Sequence, residues 1–200
     1  MNREKIEEFS SELVLLLHSR TMAKQTSDTE RIDELDSLLR TTDQGSFERA
    51  TVLMKEGVYA YTPWYSYALT SLALLTAEDE LAYGQAELTE TGLAKIVVLT
   101  STLVVTAHVD TVEAADSRPF VEAFPRGTLT SLSLQAGQGV DRRGSQAIAW
   151  PEHLVIELKY EGREDVITLG GNAFDPFEPD NIGAIWKLLK KLREDLTGKN

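Results

Sequence analysis

Lys95-Ile-Val-Val-Leu-Thr-Ser-Thr-Leu-Val-Val-Thr-Ala-His108 decides the fold. Two apolar, β-branched runs, residues 95–99 and 103–108, flank Thr100-Ser101-Thr102, which is hairpin spacing. Working outward, further short strands are expected over residues 82–88, 120–124, 128–134, 146–150, 153–160 and 165–169. Turn signals separate them: Thr89-Glu-Thr-Gly92, Pro125-Arg-Gly127, a glycine-rich loop over 135–145, and Glu161-Gly-Arg-Glu164. After a loop, Pro179 suits the first turn of a closing helix through Leu196. Ile182, Ile185, Trp186, Leu188, Leu189, Leu192 and Leu196 give that helix a wide apolar face. Consecutive strands followed by one amphipathic helix predict an antiparallel barrel or sandwich over 81–170. The helix lies across one end, with Trp186 buried beneath it.

The first part of the chain reads differently. Residues 3–20 carry Ile6, Phe9, Leu13, Leu16 and Leu17 at helical spacing. Ser27 with Glu30 makes a capping box for a second helix, with Ile32, Leu35, Leu38 and Leu39 inward. Ser46 starts a third helix, expected to run through Met54 and end near Gly57. Tyr59, Tyr61, Trp64, Tyr65 and Tyr67 then crowd together around Pro63, which argues against an uninterrupted helix. Over residues 68–75, periodicity leaves helix and buried strand open. Ala77-Glu-Asp-Glu80 marks a boundary. The expected class is α+β, with a helical region over 1–77 and a strand-rich domain with a C-terminal helix over 78–200.

Composition narrows the function. The 200 residues include no cysteine, which removes thiol nucleophiles, thiolate metal sites and disulfides. Net charge is −12, and acidic residues outnumber basic ones in both halves. A polyanion meets net repulsion, so neither a nucleic-acid partner nor stable membrane association is expected. The N-terminus leads into a charged helix without a signal-peptide stretch, and the expected compartment is the cytoplasm. No phosphate loop and no serine with a base at recognisable spacing occurs. No cofactor is expected.

The second part resembles the bacterial pleckstrin-homology-like and GRAM-like domains. The resemblance rests on Ile96-Val-Val-Leu-Thr-Ser-Thr-Leu-Val-Val105, Phe124-Pro-Arg-Gly-Thr-Leu-Thr-Ser-Leu132, residues 154–160 before a glycine turn, residues 166–169 and the closing helix. It implies a bent barrel plugged by that helix, no shared catalytic residue, and protein interaction or assembly. Some members bind phosphoinositides through basic residues around the first hairpin. Here that hairpin has Glu87 and Glu90 against Lys95 alone. Phosphate recognition needs several converging Arg or Lys donors.

Ala107-His-Val-Asp-Thr-Val112 resembles the first metal motif of the dimetal aminoacylase and carboxypeptidase family. That resemblance implies His108 and, from Gly137-Gln-Gly-Val-Asp-Arg-Arg-Gly144, Asp141 as ligands. No Glu-Glu pair follows, and His153 comes soon after Asp141, so the ligand set of a catalytic zinc stays incomplete.

The leading expectation is therefore a non-enzymatic interaction or assembly module. Its partner is a protein or a second copy, as a two-fold homodimer, and Tyr59, Tyr61, Trp64, Tyr65 and Tyr67 are the candidate contact residues. These aromatics also suit a helix–sheet core. A metal-dependent hydrolase and a small-molecule or lipid-binding module are the alternatives.

Overall fold

The continuous apolar runs around the central hairpin reflect burial on both faces of a sheet. The computed structural model describes residues 28–40, 46–55, 58–77, 79–113, 116–136, 154–170 and 179–198. A helix over residues 28–40 (α1) precedes Ser46–Thr51 (α2), the strands Val52–Lys55 (β1) and Val58–Tyr61 (β2), and the helix Pro63–Thr76 (α3). Then come Leu81–Leu88 (β3), Ala94–Thr100 (β4), Leu103–Val109 (β5) and Phe120–Pro125 (β6). A 3-10 turn, Arg126–Thr128, leads to Leu129–Ala136 (β7), Leu154–Tyr160 (β8), Ile167–Gly170 (β9) and the helix Pro179–Leu196 (α4).

The strands form three antiparallel ladders: β1-β2, β3-β4-β5-β6 and β7-β8-β9. The class is α+β. Among the described residues no backbone ladder joins the four-stranded sheet to the three-stranded one. Side chains tie their edges instead. At one seam, Gln85 of β3 accepts from the Gly170 N–H at 2.7 Å and from the Tyr83 hydroxyl at 3.0 Å. Gly170 has φ +84°, and a Cβ there would lie 2.0 Å from the Leu154 carbonyl oxygen, so only glycine fits. At the other seam, Arg163 pairs with Glu122 at 2.8 Å and lies 4.4 Å over the Phe124 ring.

Alternation along β4 and β5 feeds two cores. Val97, Leu99 and Val104 face Ile156, Leu158, Leu169 and the buried side of α4. Ile96, Val98, Val105 and Ala107 face Leu35, Leu39, Phe47, Trp64 and Leu72 of the helical layer. The helices therefore cover the outer face of the four-stranded sheet. Gly84 permits close approach there, since a Cβ would come within 2.8 Å of Leu38.

Most strand boundaries expected from the sequence lie within two residues of those observed. The helix expected to reach Met54 stops at Thr51, and Val52 starts a strand. The sequence Val52-Leu-Met-Lys-Glu-Gly-Val-Tyr-Ala-Tyr61 puts β-prone residues on both sides of a glycine at hairpin spacing, which outweighs the weak helical pattern. Pro63 sits in the first turn of α3 rather than interrupting it. Trp186, expected to be buried, is 42% exposed. Leu188, Leu189 and Leu192 carry the buried face of α4, and at 100° per residue Trp186 stands about 110° from their centre. The helix expected over 3–20, the strand over 146–150 and most of the glycine-rich loop lie outside the described residues.

Three polar joints fix the layers. Arg126 forks onto Asp195 of α4, Nε to Oδ2 at 2.7 Å and Nη2 to Oδ1 at 3.2 Å, while Nη1 donates to the Thr100 carbonyl at 2.6 Å. Asp79, just after α3, accepts from the hydroxyls of Thr102 and Thr100, the latter at 2.7 Å. The Thr62 N–H donates to the Thr51 carbonyl at 2.8 Å, and Trp64 Nε1 to the Ala50 carbonyl at 3.2 Å. The carbonyls at the end of α2 thus find partners at the start of α3.

Arg126→Ala should lower stability by about 3–5 kcal/mol, because it strands a buried carboxylate. Arg126→Met with Asp195→Leu should cost far less than the two single changes added together, as read by urea unfolding in a double-mutant cycle. The Thr102 and Thr100 hydroxyls hold the Asp79 carboxyl below its ordinary range. Its stabilisation is present above the unfolded value, about 3.9, and is lost as pH falls through the lower folded value. Asp79→Asn should therefore reduce the unfolding midpoint at pH 7, and the difference should shrink as pH falls below the unfolded value of about 3.9.

Candidate interaction surface

The aromatic cluster divides by periodicity. In α3, Trp64 and Tyr65 fall on the inner side with Ala68, Leu69, Leu72 and Thr76, and both rings are buried. Phe47 meets them edge-on, 6.0 Å from Trp64 and 5.3 Å from Tyr65. The Tyr65 hydroxyl donates to Asp36 of α1 at 2.8 Å, and Arg40 donates to the other oxygen of that carboxylate at 2.8 Å. Burial raises the Tyr65 phenol far above its ordinary range, and the Asp36 hydrogen bond adds to it. Trp64 and Tyr65 are thus core residues that lock α1 to α3.

Tyr59, Tyr61 and Tyr67 have a different environment. On the ribbon, Tyr59 stands opposite Met54 and Tyr61 opposite Val52, so these four share one face. Tyr59 is 73% exposed and Met54 70%. Leu53, opposite Ala60 on the other face, is also exposed. Tyr61, at the base, turns its ring edge-on to Tyr65 at 5.4 Å. Burial lifts the Tyr61 phenol above its usual value, with Asp36 adding to the effect. Tyr67 is exposed on the outer side of α3, with the Arg118 guanidinium 4.8 Å from its ring centre.

Sequence reasoning missed Met54, Leu53, Leu74 and Leu75, all exposed. One signal was available. From Val58 to Ala77 the chain has no charged residue. A helix without charge on its outer side is one expected to be covered. The surface around the ribbon and α3 is apolar, with tyrosine hydroxyls as its polar handles. Among the described residues of α3, Ser66 and Thr70 are the other exposed polar side chains, and Arg118 lies over Tyr67.

The metal-site candidates are not brought together among the described residues. His108 is exposed on β5, its ring 5.1 Å from Phe120 in the facing register position. Asp141 and His153 lie outside the described residues. Among the described residues no three His, Cys, Asp or Glu side chains are grouped to hold a metal ion. At the β3–β4 turn, Glu87 faces Lys95, and Lys95 faces His108 on the next strand. Lys95 therefore stands beside a carboxylate and does not converge with other cations. Among the described residues no helix is long and apolar enough to cross a membrane.

No protein-family model and no curated protein matches the chain. A solved structure that does match is the hSac2 domain from human phosphoinositide phosphatase Sac2. It shares 16% identity over 65% of this chain and 80% of that one, with a TM-score of 0.37. A likeness of that strength carries neither fold nor activity across.

Core and surface tyrosines should separate in stability measurements. Trp64→Ala should cost about 3–5 kcal/mol through the cavity it leaves. Tyr65→Phe should cost about 1–2 kcal/mol through the lost charge-assisted hydrogen bond. Tyr59→Ser should stay within about 0.5 kcal/mol. Chemical-denaturation midpoints of the three variants check the order.

Proposed function

We propose that the chain is a non-enzymatic interaction and assembly module of the cytoplasm. Its frame is a pleckstrin-homology-like barrel, and it joins a second copy of itself through the β1–β2 ribbon. The observation that carries this reading is the ribbon itself. A two-stranded ribbon is marginal in water unless a further strand or a packing partner completes it. Among the described residues the ladder has two strands, and Leu53, Met54 and Tyr59 are exposed. Tyrosine and methionine are enriched at protein contacts.

A second copy suits the surface by symmetry and by charge. A two-fold contact places the same patch on itself, and closed two-fold dimers are the commonest assemblies. The chain carries −12, so two copies repel except where the surface is uncharged. Leu53, Met54, Tyr59 and Tyr61, exposed on the ribbon, carry no charge. The barrel reading is supported by strand order: four antiparallel strands, then three, then one helix packed over the second core. Two side-chain seams hold the edges where a closed barrel would have backbone pairing.

At tens of micromolar the full chain should scatter light as a dimer. Met54→Glu with Tyr59→Glu should yield a monomer with an unchanged circular dichroism spectrum, since both sites are exposed and each glutamate meets its two-fold mate. A monomeric parent chain at that concentration, or a double variant that stays dimeric, would sink the ribbon as the contact.

A further inference from the structure

The phase of the ribbon's hydrogen bonds fixes which backbone groups it leaves over. In an antiparallel pair, opposed residues alternate between those that exchange both N–H···O bonds and those that exchange none. The Thr62 N–H donates to the Thr51 carbonyl at 2.8 Å, one step beyond the Val52–Tyr61 pair. Leu53 and Ala60 are therefore a bonded pair, while Val52 with Tyr61 and Met54 with Tyr59 are not. The N–H and C=O groups of Tyr59 and Tyr61 thus point away from β1, along the outer edge of β2. Among the described residues no strand and no other backbone group meets them there.

Such an edge is a template for another strand. Tyr59, Ala60 and Tyr61 bring no charge to it, on a chain of net charge −12. Pro63, two residues on, has no N–H to offer, so the edge ends with Tyr61. The opposite edge is less suited, because β1 ends in Lys55, a residue type that guards strand edges against pairing. One two-fold register of β2 against itself uses all four outward groups. It is centred on Ala60 and sets Tyr59 of each copy opposite Tyr61 of the other, each N–H donating to the facing carbonyl. The tyrosine side chains then share one face as cross-strand aromatic neighbours.

We propose that two copies join edge to edge through β2, forming one four-stranded sheet in the order β1-β2-β2-β1. This inference rests on the assembly reading above and names its contact: main-chain hydrogen bonds from Tyr59 and Tyr61. Four strands also complete a ribbon that is marginal as two. Ala60 falls on the two-fold axis, opposite itself, in a pair without hydrogen bonds, where Cα atoms are about 4.5 Å apart. That separation lies within the range a disulfide spans.

The chain has no cysteine, so single substitutions read the register. Ala60→Cys in the full chain at tens of micromolar should oxidise to a disulfide-linked dimer, running at twice the monomer mass without reductant. Leu53→Cys, exposed on the same face but on β1, should stay largely unlinked under the same oxidant. If the parent chain scatters light as a monomer, the assembly reading falls and this inference falls with it. If the parent is a dimer and Ala60→Cys links no faster than Leu53→Cys, pairing through β2 is overturned while assembly stands. Faster linking of Leu53→Cys would place the contact at the β1 edge and overturn the proposal in the same way. Residue-resolved amide exchange on the unaltered chain is the second measurement. The Tyr59 and Tyr61 amides should exchange about tenfold more slowly in the dimer than after dilution to the monomer. Equal exchange of those two amides in both states would also overturn the pairing.

Discussion

Arg126 and Asp195 are far apart in sequence and meet in the interior, with side chains only 7% and 2% exposed. Arg126 sits in the 3-10 turn where the chain leaves the four-stranded sheet for the three-stranded one, and its backbone N–H donates to the Thr102 carbonyl at 2.8 Å. One guanidinium thus holds the β4–β5 turn, the corner between the sheets and the last turns of α4. A buried ion pair contributes little net stability against an apolar replacement. Its value here is positional. Leu188, Leu189 and Leu192 bury α4 without specifying a register, because leucines slide over an apolar surface at small cost. A forked pair with one matching geometry selects one placement of the helix. Tyr160 lies close enough for Asp195 to add to the rise that burial imposes on its phenol.

The four-stranded sheet inherits its role from that corner. With α4 and the three-stranded sheet on one face, its other face must be buried by something else, since Ile96, Val98 and Val105 point there. The helical layer supplies the cover, held at its ends by Arg31 and Asp79 and in its middle by Asp36 and Tyr65. Each of these joints places a charged group against hydroxyls, a phenol or carbonyls at a helix end. The layer is therefore oriented by polar contacts and stabilised by Trp64, Tyr65, Leu69 and Leu72.

How far the sequence disclosed this arrangement follows from its physics. The strands from β3 to β9 were legible because alternation, β-branching and glycine turns agree there, as in 93–109. The α4 bounds were legible from Pro179 and the leucine spacing. Trp186 was not, because a wide apolar stripe does not say where its centre lies. The ribbon was hidden because Phe47 to Met54 also fits a helical pattern, and the choice between the two rests on a glycine hairpin and its tertiary setting. Trp64 and Tyr65 could not be told from Tyr59 and Tyr67 by type. Their separation needs the phase of α3, and the Pro63 start that fixes that phase is clear only once Pro63 is read as a first-turn residue.

The uncharged run from Val58 to Ala77 brings these threads together. A protein with 26% charged residues places none in this run, although only part of it is buried. Core packing accounts for Trp64, Ala68, Leu69 and Leu72 and gives no reason for Leu74 or Tyr59 to be apolar. Solvent would tolerate lysine or glutamate at either position without loss to the core. Apolar side chains at exposed positions, on both a ribbon and the adjoining helix, are the expected mark of surfaces that another segment covers. Ionic contacts thus orient the layers, while the exposed side chains of α3 and the exposed tyrosines of β2 carry no charge.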